Sequence, residues 1–139
     1  MIAFDTNALV RMLIEDDKRQ AEIVREIIKF AEKNAIKILI LTEVLIETVW
    51  VLESIYKCSR EEITLLLENL LYSSTFILSD PEVVIKATRQ YKRGGDFADF
   101  ILVEKAKQKK AKWFFSFDKM LIKKYPGFVV SKMDILKQN

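Results

Sequence analysis

"MIAFDTNALVRMLIE", residues 1–15, begins with a short apolar run and changes at Asp5 to helical spacing. The apolar run predicts a buried strand. The apolar residues from Ala8 to Leu13 recur three and four positions apart, which predicts a helix over residues 6–15. The chain therefore opens with a strand that leads directly into a helix, the arrangement typical of α/β proteins.

The same alternation continues to the C-terminus. Apolar spacing, caps and turn residues predict further helices over 18–34, 42–56 (Thr42 as N-cap), 59–72 (Ser59 and Glu62 as a capping box), 81–91, 96–109 and 118–124. Strands are predicted at 36–41, 75–79, 112–116 and 127–131, and "KRGG" at 92–95 is the clearest loop. These elements predict one α/β/α sandwich domain over residues 1–139, with a central, mainly parallel sheet.

Composition fits a globular protein of the cytoplasm. Half of the 139 residues are hydrophobic and 31% are charged. No apolar run approaches the ~20 residues that a membrane span needs, and the N-terminus lacks the basic region of a signal peptide. Cys58 is the single cysteine, so no disulfide framework is expected and a reducing, cytoplasmic location is predicted.

The absence of histidine excludes several kinds of chemistry. The chain has no His, so it holds no Ser-His-Asp triad, no Cys-His dyad, no paired-histidine ribonuclease site and no histidine zinc site. Its chemistry must rest on carboxylates, lysines, hydroxyls or a bound cofactor.

Positive charge is concentrated in the second half of the chain. Residues 1–85 hold nine Lys and Arg against fifteen Asp and Glu, whereas residues 86–139 hold fourteen against five. A basic half can attract partners that carry phosphate. A solvated, lysine-rich surface explains the same pattern, and charge alone does not choose between the two.

Two aspartates at predicted strand ends are candidate site residues. Asp5 ends the first strand. Asp118 comes two positions after Ser116, the last residue of the strand at 112–116. Sites of open α/β sheets form beyond the carboxyl ends of the strands. Either aspartate could instead be a simple helix cap.

Three further acids stand at unusual places. Asp96 and Asp99 lie three positions apart and should share a helix face with Leu102 and Val103, a stripe that is predicted to run into the core. Capping of the helix would also explain the two aspartates. Glu47 has mostly apolar helical neighbours, which is rare for an acid unless it is paired or binds a metal. A glutamate at the edge of the apolar stripe, with its head in water, is the alternative.

If these five acids converge, their mutual repulsion requires a counter-charge. Hard oxygen ligands without His or Cys favour Mg²⁺ or Mn²⁺ over zinc. Such a site suits phosphoryl transfer, because the metal lowers the pKa of a bound water and neutralises charge on the phosphate.

Four stretches together resemble one family. They are FDTNALVRML (4–13), EVLIETVWVLESIYKCSREEI (43–63), RGGDFADFILVEKAK (93–107) and FFSFDKML (114–121). In this order they resemble the PIN-domain ribonucleases, most of all the VapC-type toxins of bacterial and archaeal toxin–antitoxin pairs. The resemblance implies an endoribonuclease dependent on Mg²⁺ or Mn²⁺, an RNA substrate, a cognate antitoxin protein as partner and a homodimer.

The resemblance also assigns residues. It implies catalytic roles for Asp5, Glu47, Asp99 and Asp118, and metal binding by Asp5, Asp96, Asp99 and Asp118. Thr6, Asn7 and Ser116 are implied as supporting residues. Phe100, Val103 and Glu104 depart from the small residues that the family commonly has after Asp99, so helix packing is expected to differ there.

The remaining conspicuous residues have plainer interpretations. Trp50, Trp113, Phe114, Phe115 and Phe117 are predicted to lie in the core. Arg11 could contact RNA phosphate, but a solvated arginine is the favoured interpretation. RNA contacts near the site are a further hypothesis for Lys92, Arg93 and the lysines at 105, 107, 109, 110 and 112.

Rival functions remain open at this point. A housekeeping RNA-processing PIN nuclease would use the same residues, and a non-catalytic binding module would not need all five acids. A haloacid-dehalogenase-type phosphatase needs a second aspartate two positions after the first, where this chain has Asn7. A phosphoacceptor receiver domain fits poorly, because Asp118 comes too late and the helices are too many.

Overall fold

The computed structural model describes residues 1–132 and residue 136, and strands alternate with helices along this range. In chain order the elements are β1 (Ile2–Ala3), α1 (Thr6–Val10), α2 (Lys18–Lys33), β2 (Ile38–Ile40), α3 (Thr42–Ser54), α4 (Arg60–Tyr72), β3 (Phe76–Leu78), α5 (Pro81–Lys92), α6 (Phe97–Gln108), β4 (Phe114–Phe115), α7 (Lys119–Lys124) and β5 (Val129–Val130). The predicted α/β class is confirmed, and each predicted strand and helix is present. That residues 1–139 form one domain stays a prediction, since 133–135 and 137–139 lie outside the described residues.

All strand pairings in the described range are parallel. β1, β2 and β3 form one sheet in that order, and β4 pairs with β5 in a second. The predicted central sheet is therefore divided in two. Because β1 and β4 have two residues each, they offer few backbone groups for a ladder between the sheets.

Helices cover the strands and enclose the core. α1 packs against α3, and α5 packs against both α4 and α6. Leu9, Ile38, Ile40, Leu67 and Ile101 are among the side chains that are at least 99% buried. Within the described residues, no helix has the length and apolar character to cross a membrane.

Helix starts follow local capping chemistry in most places. Ser59 Oγ accepts a hydrogen bond from Glu62 N at 3.1 Å, and Glu62 Oε1 accepts one from Ser59 N at 2.9 Å, so the predicted capping box is confirmed. The prediction that Thr42 is an N-cap is wrong: Leu41 holds that position. Thr42 N instead donates to Ser79 Oγ at 3.0 Å, so a neighbouring strand end supplies the acceptor.

Several predictions of burial are wrong. Trp50, Leu102, Phe115 and Phe117 are exposed, by 60%, 52%, 47% and 81%, whereas Trp113 and Phe114 are half-buried. Apolar character in one element does not reveal whether another element covers it. The first helix is also shorter than predicted, because it ends at Val10 and the chain turns over the next three residues.

Candidate active site

Asp5 and Asp118 each follow a strand and cap the short helix that comes next. Asp5 Oδ1 accepts a hydrogen bond from Ala8 N at 2.9 Å, and Asp118 Oδ1 accepts one from Leu121 N at 3.0 Å. Capping is therefore a real role of both residues. It occupies one oxygen of each carboxylate, and no hydrogen bond to Oδ2 of either comes from the described residues, so this oxygen can serve a second role.

Asp96 and Asp99 lie at the start of α6, and neither behaves as an ordinary cap. Asp96 holds the N-cap position, but its side chain makes no capping hydrogen bond. Partial burial raises the pKa of Asp99 above its usual range. The negative charges of Asp96 and Asp118 and a hydrogen bond with Asp96 raise this pKa further. Three carboxylates from two helix starts therefore lie close enough to repel one another.

The loop before α6 fixes where Asp96 and Asp99 stand. Gly94 and Gly95 have φ values of +118° and +103°, which L-residues rarely adopt. Arg60 reaches into this loop, and its Nη1 donates to Tyr91 O at 2.8 Å and to Gly95 O at 3.0 Å. A Cβ on Gly95 would stand 2.5 Å from the ring of Phe100. The loop thus approaches α6 too closely for any side chain at this glycine.

Glu47 is held by a hydroxyl beside Asp5. The Thr6 hydroxyl donates a hydrogen bond to Glu47 Oε1 and so links the start of α1 to α3. Glu47 is exposed, which agrees with a glutamate at the edge of its apolar stripe. Its carboxylate is nevertheless oriented by a specific partner.

A cavity of about 400 Å³ joins Glu47 to the start of α6. Glu43, Glu47, Trp50 and Glu53 line it from α3, and Asp96 lines it from the opposite side. The acids thus form a series, from Asp5 through the Thr6–Glu47 contact and across this cavity to the three repelling aspartates. All the charged side chains that line the cavity are carboxylates, so the cavity suits a cation rather than an anion.

The five acids do not form a ready-made cage. Within the described residues, no three His, Cys, Asp or Glu side chains are arranged to hold one metal ion, and the charges that raise the pKa of Asp99 are those of Asp96 and Asp118 rather than that of Asp5. The chemistry of the donors nevertheless fits a hard divalent cation, because every candidate ligand is a carboxylate. The repulsion around Asp99 is the uncompensated charge that such an ion would neutralise.

Supporting residues divide into two groups. Ser116 Oγ accepts a hydrogen bond from Asp118 N at 3.0 Å and so orders the turn that carries this aspartate. Asn7 lies apart and lines a cavity of about 210 Å³ between α1 and α2 together with Arg11. Of the three supporting residues, Thr6 and Ser116 therefore touch predicted site acids, whereas Asn7 faces another part of the molecule.

Arg11 is not the solvated arginine that was favoured from sequence. Its guanidinium pairs with Asp16 at 2.9 Å, donates from Nε to Gln20 at 2.9 Å and approaches the Tyr56 hydroxyl at 3.5 Å. Only 14% of its side chain is exposed. These contacts tie α1 to its neighbours, and an RNA contact by Arg11 stays an untested prediction.

The basic residues near the site differ in their partners. Lys92 pairs loosely with Glu68 at 3.7 Å, and Lys105 pairs with Asp80 at 3.3 Å. Arg93 lines a cavity of about 450 Å³ on another side of α6, whose lining differs from that of the acidic cavity. Their predicted RNA contacts are untested.

Three residues of the acidic cavity were not predicted as site residues from the sequence. Glu43, Trp50 and Glu53 line it with Glu47. Their helical spacing of three and four, counted from Glu43 through Glu47 and Trp50 to Glu53, was the available signal. A buried side chain positions Glu53, because its Oε2 accepts a hydrogen bond from the Tyr91 hydroxyl at 2.7 Å.

The fold and the site define a class: an α/β protein of parallel strands, with aspartates beyond the strand ends and at helix starts beside an acidic cavity. A model of the PIN domain matches residues 2–127, so the chain belongs to the PIN domain family. PIN domains are generally nucleases and typically use divalent metal ions. No curated protein and no solved structure gave a significant match.

Proposed function

We propose that this protein is an endoribonuclease dependent on Mg²⁺ or Mn²⁺. The observation that carries the proposal is the PIN domain match over residues 2–127. The placement of Asp99 supports it, because partial burial and the charges of Asp96 and Asp118 raise the pKa of this residue. Uncompensated carboxylates at strand and helix ends are costly unless they bind a cation. Since the chain has no histidine, a metal-assisted reaction is the route to phosphodiester hydrolysis that its residues allow.

Each acid has a role in this proposal. Asp5, Asp96, Asp99 and Asp118 would hold the cation, which when bound lowers the pKa of a water and neutralises charge on the phosphate. The Thr6 hydroxyl holds Glu47 Oε1, which leaves Oε2 to accept a hydrogen bond from the attacking water and orient it. Lys92 and Arg93, just before Asp96, would contact the RNA backbone.

An RNA cleavage assay tests the activity. Wild type should cleave single-stranded RNA with Mg²⁺ or Mn²⁺ and lose this activity in EDTA, and Asp5→Asn or Asp99→Asn should abolish it without unfolding the protein. Glu26→Gln is a matched control, because Glu26 is an exposed acid on α2 outside the site, and it should retain full activity. Full cleavage by wild type in EDTA would overturn the proposal.

We further propose that the protein is the toxin of a toxin–antitoxin pair and acts in the cytoplasm as a homodimer. The resemblance to VapC-type toxins supports this role. Exposed apolar residues on and between α3 and α4 offer surface for a second copy or an antitoxin: Trp50, Ile55, Leu65 and Tyr72. A monomer by light scattering at micromolar concentration would contradict the homodimer. Failure of the product of a neighbouring small gene to co-purify would favour a housekeeping RNA-processing role.

A further inference from the structure

A second cavity, of about 450 Å³, lies between the C-terminal part of α5, the C-terminal half of α6 and the end of α7 with the turn that follows it. Its volume is in the range of small-molecule sites. Five cations line it: Lys86, Arg89, Arg93, Lys107 and Lys124. It shares no lining residue with the acidic cavity. Two of its cations, Arg93 and Lys107, are among the residues for which RNA contacts were hypothesised from the sequence.

The cations around this cavity are not paired with acids in the described part of the chain, although Lys124 Nζ donates to Gln90 O at 3.4 Å and Lys107 Nζ lies 5.7 Å from the centroid of the Tyr125 ring. Among the residues that the structure describes, none of the five forms an ion pair. Burial and the positive charges of Arg60 and Arg93 lower the pKa of Lys124, which is the expected result of crowded cations. An anion bound here would relieve their repulsion. Arginine and lysine together on one wall are the usual partners of phosphate.

One acid lies among these cations, and it is deeply buried. Glu104 lines the cavity from α6 and is only 5% exposed. Beside it, the buried Tyr125 hydroxyl makes no well-formed hydrogen bond among the described residues, but it approaches the Glu104 carboxylate. Burial, and then this hydrogen-bonding and charge interaction with Glu104, raise the pKa of Tyr125. A carboxylate at this place would repel a bare anion. It is suited to accept hydrogen bonds from the hydroxyls of a ligand, as acidic residues do from ribose in other nucleotide sites.

We propose that this cavity binds a ribonucleotide, with its phosphate on the Arg and Lys side chains and its ribose hydroxyls on Glu104 and Tyr125. The ligand has two possible sources with the same chemistry: a free nucleotide, or one nucleotide of an RNA strand. Binding here uses neither the acids of the proposed nuclease site nor a metal, and Arg93 is the one residue that both proposals use.

Calorimetric titration of the full chain in EDTA tests the site. Adenosine monophosphate should bind, and its deoxy analogue and inorganic phosphate should each bind roughly tenfold more weakly, because a hydrogen bond to a charged group contributes about that factor. The double variant Arg89→Ala/Lys107→Ala should weaken binding about a hundredfold. Arg19→Ala/Lys29→Ala, which removes an exposed Arg and Lys from α2, should leave the affinity unchanged.

Glu104→Gln separates recognition from a structural role. Removing the negative charge should strengthen binding of inorganic phosphate and reduce the preference for the ribonucleotide over its deoxy analogue. Equal weakening of every ligand would instead mean that Glu104 only supports the fold, and would overturn its assignment.

The remaining outcomes are equally decisive. Equal affinity for inorganic phosphate and adenosine monophosphate, no loss in Arg89→Ala/Lys107→Ala, or weaker binding in Asp99→Asn would each overturn the site. Competition by a short single-stranded RNA would identify the strand as the source. Its absence, with adenosine monophosphate still bound, would identify the free nucleotide.

Discussion

Replacing Gly95 by alanine should destabilise the protein strongly, because two separate costs meet at this residue. Its φ of +103° is strained for any L-residue, which costs about 1–3 kcal/mol. The new Cβ would also stand 2.5 Å from the Phe100 ring. Phe100 is 1% exposed, and its ring centroid lies 6.3 Å from that of Tyr125. The ring therefore cannot move away freely, and overpacking costs a further ~1–3 kcal/mol.

Gly94 supplies a matched control for this prediction. Its φ of +118° carries a similar strain, but a Cβ there has no atom within 4 Å. Gly94→Ala should therefore cost about 2 kcal/mol and Gly95→Ala about 4 kcal/mol. For a chain of this length these values correspond to a lower Tm by roughly 8 °C and 15 °C.

Thermal denaturation followed by circular dichroism measures both shifts. The double variant Gly95→Ala/Phe100→Leu provides a second check, since a shorter side chain removes the ring atoms that the Cβ meets. Gly95→Ala should then cost less in the Phe100→Leu background than in wild type. Equal shifts for Gly94→Ala and Gly95→Ala would refute the close approach of the loop to α6.

Three further predictions concern charge, capping and a buried hydroxyl. The pKa of Asp99 is raised in the folded state, so its contribution to stability is fully present below the unfolded pKa of about 4 and is lost as the pH rises through the folded pKa. In EDTA at neutral pH, Asp99→Asn should consequently melt at or above wild type, and Mg²⁺ should raise the Tm of wild type more; equal Mg²⁺ shifts would remove Asp99 from the metal site. Ser59→Ala removes the capping box and should lower the free energy of unfolding by about 1 kcal/mol, measured by urea denaturation. Tyr91→Phe removes the donor to Glu53 and should cost about 1–3 kcal/mol; an unchanged urea midpoint would contradict that contact.

The elements of the fold could be predicted because their signals are local. The capping box of Ser59 and Glu62 lies within four residues. It predicted the start of a helix, and α4 begins there in the structure. The division of the sheet had no such signal, since pairing between β1 and β4 depends on residues far apart in the chain. For the same reason the sequence could not show that Thr42 is not an N-cap. The acceptor for its backbone N–H is the side chain of Ser79, which lies 37 positions away in the chain.

The site was predictable where side chains are linked by short spacing, and less so where distant elements meet. Asp96 and Asp99 were paired from their separation of three, and the effect of Asp96 on the pKa of Asp99 bears out that proximity. The partners of Arg11 come from other segments, so sequence alone could not reveal that its guanidinium is engaged. The burial of Glu104 could have been predicted, because this acid follows Phe97 and Ile101 at helical spacing and both of these residues are buried.

The exposed indole of Trp50 has an optical consequence. The chain has two tryptophans: Trp50 is 60% exposed on the wall of the acidic cavity, whereas Trp113 is half-buried, with Lys112 Nζ 4.4 Å from its ring centroid. In a Trp113→Phe variant, all indole fluorescence comes from that wall. Acrylamide quenching of Trp50 fluorescence should then decrease when a ligand fills the cavity. The intrinsic fluorescence of the protein therefore reports on binding there, and no attached dye is needed.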